Sequence, residues 1–131
     1  MIDRINALVL PVRDVKLCAD FYRDKLGFSL DQLETNEAYL TIGANAPVLA
    51  LKSIDLVAKE ISVEKIRPKE VTINRTHYVV FVVSVHKEYG DLRQKGVHFV
   101  NSPATKSDGW RTVHFEDPEG NLWEISERPK K

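Results

Sequence analysis

Cysteine is almost missing from this chain. Cys18 is the only one, so no disulfide can close within it, and a disulfide-stapled scaffold is excluded. An excess of one charge sign is missing too. The 19 Lys+Arg balance the 19 Asp+Glu, which leaves no basic surplus to neutralise phosphates and argues against nucleic acid as a partner. No apolar run approaches the ~20 residues that a membrane-spanning helix needs. The start, Met1-Ile2-Asp3-Arg4, lacks the basic opening and apolar stretch of a secretory signal. One reduced thiol and no membrane segment predict a cytoplasmic protein.

What is present suits a single domain spanning 1–131 with a core of its own. Ile5 to Val12 is short and apolar and predicts a buried strand. Asp14 can cap a helix whose Cys18, Phe21, Tyr22 and Leu26 recur at helical spacing, and Gly27 supplies its stop. Phe28 to Leu33, Ala38 to Ile42 and Val48 to Leu51 predict three further strands between turn residues. The second half repeats the plan. A valine-rich strand, His77 to Val83, leads to Ser84 as a helix cap, with Val85, Tyr89 and Leu92 on one face and Gly96 at the end. Strands Val97 to Val100, Arg111 to Phe115 and Leu122 to Ser126 follow, the last two joined by the turn Asp117-Pro118-Glu119-Gly120-Asn121.

The halves overlay. Val12-Arg13-Asp14-Val15 lies 70 positions before Val82-Val83-Ser84-Val85, while Leu26-Gly27-Phe28 matches Lys95-Gly96-Val97 one residue out of that register. This gives two β-α-β-β-β modules, the first over about 1–53 and the second over about 71–128. The segment between, about 54–70, opens on Ile54, Val57, Ala58 and Ile61, which suit a short amphipathic helix, and then runs as a linker through Pro68 into a strand at Val71 to Arg75.

Two stretches carry a family likeness. One is Gly96-Val97-His98-Phe99-Val100-Asn101-Ser102-Pro103 with Gly109-Trp110-Arg111-Thr112-Val113-His114-Phe115-Glu116-Asp117-Pro118-Glu119-Gly120-Asn121-Leu122-Trp123-Glu124-Ile125. The other is Val12-Arg13-Asp14-Val15 through Phe21-Tyr22-Arg23-Asp24-Lys25-Leu26-Gly27-Phe28. Together they resemble the vicinal oxygen chelate superfamily, also called the glyoxalase, bleomycin-resistance and dioxygenase superfamily. The resemblance implies an α+β fold in which two βαβββ modules form a curved mixed sheet around a cavity, and it implies a homodimer. It also implies one divalent metal (Zn, Ni, Mn or Fe), which in catalytic members stabilises an anionic intermediate by Lewis acidity.

Carried over residue by residue, the family's metal-ligand positions fall on His77 and Glu124 in the second module and on Ala7 and Ala50 in the first. Alanine has no ligand atom, so half of the set is empty. His114, on the strand paired with that of Glu124, points into the same space by strand alternation and offers a third donor. Trp110, Arg111 and Thr112 lead into the His114 strand and are candidates for contact with a bound molecule. Trp123 alternates away from Glu124 and belongs to the core. His86 and His98 are expected at the surface, and Cys18 is expected to be buried and inert.

Two functions follow. In the first, a protein with an incomplete metal site binds a small aromatic or cationic molecule through its aromatic residues and His77, His114 and Glu124. In the second, a lyase, transferase or dioxygenase uses a metal on His77 and Glu124, with Glu124 also available as a catalytic base.

Overall fold

The computed structural model describes residues 1–66 and 76–130. The chain divides into two compact units, Met1–Thr72 and Ile73–Lys131, each built around its own sheet. The expected strand at Val71 to Arg75, together with Pro68, lies outside the described residues.

In the first unit, strand β1 (Ala7–Val12) leads to helix α1 (Val15–Asp24), then β2 (Ser29–Leu33), β3 (Glu37–Thr41) and β4 (Val48–Ser53). The sheet order is β1-β4-β3-β2, with β1 and β4 parallel and the other pairs antiparallel. Leu10, Val12, Ala38, Leu40, Leu49 and Leu51 line one face and are buried with Cys18, Phe21 and Tyr22 of α1. The hydrophobic periodicity of the helix therefore meets the alternation of the strands. Asp14 accepts a hydrogen bond from the Leu17 backbone N–H at 2.9 Å, as expected of a helix cap.

Two short helices, α2 (Ile54–Glu60) and α3 (Val63–Ile66), follow β4 within the first unit. The second unit repeats the order of the first with one added short strand. Strand β5 (His77–Phe81) precedes α4 (Val85–Gln94). Then come β6 (His98–Phe99), β7 (Ala104–Thr105), β8 (Arg111–Glu116) and β9 (Leu122–Glu127). The sheet path is β5-β9-β8-β6, with β7 also pairing β8 and with β5 and β9 parallel. Tyr78, Val80, Val113, Phe115, Trp123 and Ile125 alternate onto the face that α4 covers, and Val113, Phe115, Trp123 and Ile125 are buried there. Trp123 is core, as expected.

The one-residue break in the internal repeat has a local cause. Helix α4 ends with the Val97 N–H bonded to the Leu92 carbonyl and the Gly96 N–H to that of Arg93, the pattern of a Schellman stop with Gly96 at φ +87°. Helix α1 ends on a wider ring, with the Phe28 N–H reaching back to the Tyr22 carbonyl. The first module thus spends one more residue on its stop.

Three expectations change. Strand β6 is only two residues long rather than the four from Val97 to Val100, because a side chain replaces its backbone at the far end, as described below. The connecting segment holds a second helix, α3, where a plain linker was expected. In α2, Val57 and Ala58 are buried but Ile61 is 67% exposed, since it follows the last helical residue and falls off the buried stripe.

The turn between β8 and β9 keeps those strands in register. Asp117 is buried, and its carboxylate accepts from the Glu119 and Asn121 backbone N–H groups at 2.9 and 2.8 Å and from Asn121 Nδ2 at 2.8 Å. Removing it leaves part-buried donors without this acceptor. Asp117→Ala should cost about 2–3 kcal/mol, read as a lower urea midpoint with an unchanged m-value; an unchanged midpoint would show that water replaces the carboxylate.

Candidate functional site

The registers of the two sheets coincide in detail. In the second unit Val79 pairs with Glu124, two residues after His77, and His114 also pairs with Glu124. In the first unit Val9 pairs with Ala50, two residues after Ala7, and Tyr39 also pairs with Ala50. The positions of His77, His114 and Glu124 are therefore occupied in the first module by Ala7, Tyr39 and Ala50. One sheet carries a polar triad where the other carries two alanines and a tyrosine, whose hydroxyl donates to Glu37 at 3.3 Å.

Strand alternation brings the triad together. His77, Glu124 and His114 lie on three adjacent strands, β5, β9 and β8, on the face away from α4. The Glu124 side chain is 16% exposed. Its Oε1 lies 2.9 Å from His114 Nε2 and 3.6 Å from His77 Nε2. Its Oε2 accepts from the Ser126 hydroxyl at 2.5 Å. The two imidazoles meet edge to face with centroids 5.7 Å apart. Burial pushes the Glu124 carboxyl upward, but the hydrogen bonds from Ser126 and His114, with the nearby charge of His114 and His77, outweigh it and hold the group below its ordinary value. Glu124 is thus an ionised carboxylate already gripped by donors, which suits a charge anchor better than a proton-accepting base.

The ligand atoms of His77, His114 and Glu124 all lie within 4.8 Å of one another. By residue type, two imidazoles and a carboxylate match what a divalent transition metal takes. His114 offers Nε2 to such an ion only when that nitrogen carries no hydrogen.

The other expected contact residues divide. Trp110 and Thr112 alternate onto the His114 face; Thr112 is buried and pairs with Ser126. Trp110 is half-buried and packs on Phe81 at a centroid distance of 5.3 Å, and the Arg128 guanidinium sits 5.4 Å over the same Phe81 ring. Arg111 is exposed, opposite Glu127 in register. It lies three residues from His114 and so on the opposite face of the strand; the structure does not bring it to the triad. His98 is exposed and bonds Glu116 at 2.8 Å, and His86 is exposed.

Sequence reasoning missed Ser126 and Asn101. Ser126 stands two residues after Glu124, and strand period alone could have placed it on the same face. Asn101 is 13 residues from His114 and outside any strand, so no spacing rule reaches it. Its Oδ1 accepts from the His114 backbone N–H at 2.9 Å, and its Nδ2 lies 3.0 Å from His114 Nδ1.

The comparisons agree with this fold. The sequence profile of the Glyoxalase/Bleomycin resistance protein/Dioxygenase superfamily matches residues 4–125. Protein YraH of Bacillus subtilis is 32% identical over 118 residues, covering 88% of this chain and 91% of its own. Virulence protein STM3117 of Salmonella typhimurium is 27% identical over 130 residues, covering 97% of this chain and 85% of its own. A crystal structure of a glyoxalase/bleomycin resistance protein/dioxygenase from Nocardioides superposes with a TM-score of 0.82 at 25% identity, covering 99% of this chain and 86% of that one. Among the described residues, no helix is long and apolar enough to cross a membrane.

Proposed function

We propose that this chain, which belongs to the glyoxalase/bleomycin resistance protein/dioxygenase superfamily, binds a small aromatic or cationic molecule on the face of its second sheet away from α4. The observation that carries the reading is Glu124, a largely buried carboxylate held ionised between two imidazoles and a hydroxyl. A buried charge is costly to keep, and sites that keep one are concentrated where ligands bind. The paired rings of Phe81 and Trp110 rise from the same face and supply an apolar wall beside it. Glu124 would fix the cationic or hydrogen-bond-donating end of the molecule, and the rings would cover its flat body. A homodimer, with one such site per copy, belongs to this proposal and is checked by light scattering.

The clustering of three donor atoms favours a second reading, in which His77 and Glu124, joined by His114, hold a divalent metal. Such an ion would supply Lewis acidity toward a substrate with adjacent oxygens. Elemental analysis of the purified, tag-free protein and of His77→Ala, with melting curves over a panel of aromatic and cationic compounds, separates the two. The binding reading expects no stoichiometric metal and a rise in melting temperature with some of the compounds. Stoichiometric metal that His77→Ala loses would put the second reading in its place.

A further inference from the structure

We infer that Asn101 is a positioning residue that fixes which nitrogen of His114 carries the hydrogen, making His114 a hydrogen-bond donor to Glu124 and withholding it from any metal. The inference deepens the metal-free binding reading and rests on it.

The His114 N–H is always a donor, and Asn101 Oδ1 accepts from it at 2.9 Å. Nearby, the Val100 N–H donates to the His114 carbonyl at 2.9 Å, so the Asn101 amide continues the β6 ladder where the β6 backbone leaves it. With the amide oxygen fixed on the backbone, the amide nitrogen is turned to His114 Nδ1, 3.0 Å away. An amide nitrogen can only donate, so Nδ1 must accept and carries no hydrogen. The hydrogen of the neutral ring then resides on Nε2, which points at Glu124 Oε1 at 2.9 Å. The chain Asn101 to His114 to Glu124, closed by Ser126 on the other oxygen, has a donor facing an acceptor at every link.

Metal ligation asks for the reverse. A histidine that binds through Nε2 carries its hydrogen on Nδ1 and gives it to a carboxylate, carbonyl or water. Asn101 presents a donor at that place. Turning the amide over would set its nitrogen against the His114 N–H. The second shell of His114 thus has the wrong polarity for a metal ligand, although the three side chains have a suitable spacing.

Asn101→Asp corrects that polarity, because one carboxylate oxygen can accept from the His114 N–H and the other from Nδ1–H. The test is a ¹⁵N-detected imidazole spectrum at about pH 8.5, where histidine is neutral, combined with Zn²⁺ titration. Wild type should show His114 protonated at Nε2, and Asn101→Asp should show it protonated at Nδ1. Zn²⁺ affinity should rise on the order of 10–100-fold in Asn101→Asp, and the gain should vanish in Asn101→Asp/His114→Ala. A gain that survives in the double variant would be the added charge alone and would overturn the inference. So would a wild-type His114 protonated at Nδ1, a measurement that needs no variant to fold. Failure of the ligand panel would count against the binding reading while leaving these spectra unaffected.

Discussion

Glu124→Gln should give a folded protein that no longer holds its ligand. A glutamine fills the same space. Its carbonyl can accept from His114 Nε2–H, and its amide can donate to the Ser126 hydroxyl, which rotates to accept, so neither hydrogen-bond partner of Glu124 is stranded. What disappears is the negative charge. Loss of one member of a desolvated charged contact costs about 2–5 kcal/mol in binding, or roughly 30- to 5,000-fold in affinity. The melting-temperature rise seen with a stabilising compound should therefore be absent in the variant. Retained binding would assign the interaction to the Phe81–Trp110 wall instead.

The same substitution predicts a pH effect. The folded-state carboxyl sits below its ordinary value of 4.5. Its contribution to stability is therefore fully present above that value and is lost as pH falls through the lower folded value. At neutral pH, Glu124→Gln should be less stable than wild type by about 1–2 kcal/mol, the worth of hydrogen bonds to a charged group over neutral ones. The gap should close in acid, below the ordinary carboxyl range. Parallel urea midpoints for the two proteins across that pH range would expose a difference that stayed constant.

Trp123→Ala should be the most destabilising single change in the second unit. The indole is 1% exposed, lies parallel to Phe115 at 6.2 Å and packs on Tyr78 at 5.0 Å. Truncating a buried tryptophan costs about 3–5 kcal/mol through lost transfer energy and the cavity left behind. Domains of this kind are stable by about 5–15 kcal/mol in total, so the loss removes a large part of the margin. Trp123 adjoins Glu124 on β9 but points to the other face. Binding should consequently fail together with folding, whereas Glu124→Gln separates them. Near-native stability of Trp123→Ala would mean that Tyr78, Phe115 and Ile125 close over the gap.

The sequence by itself determined the repeated order of elements. Asp14 and Ser84 at the helix caps, Gly27 and Gly96 at the stops, and the alternation of β4, β8 and β9 are local signals, legible because helix and strand periods are local properties of the backbone. The same alternation put Trp123 under the helix and Glu124 on the other side, and the internal repeat exposed Ala7 and Ala50 as the unequipped counterparts of His77 and Glu124. Tertiary structure decided the rest. The distance between His77 and Glu124 depends on β5 lying parallel beside β9 in one register, and a one-residue slip would turn His77 to the opposite face. The separation of Trp110 from Arg111 depends on where β8 begins. The donor that sets the state of His114 comes from Asn101, which takes over the β6 ladder through its side chain. A side chain that substitutes for backbone has no period to follow, so only the folded chain could bring it there.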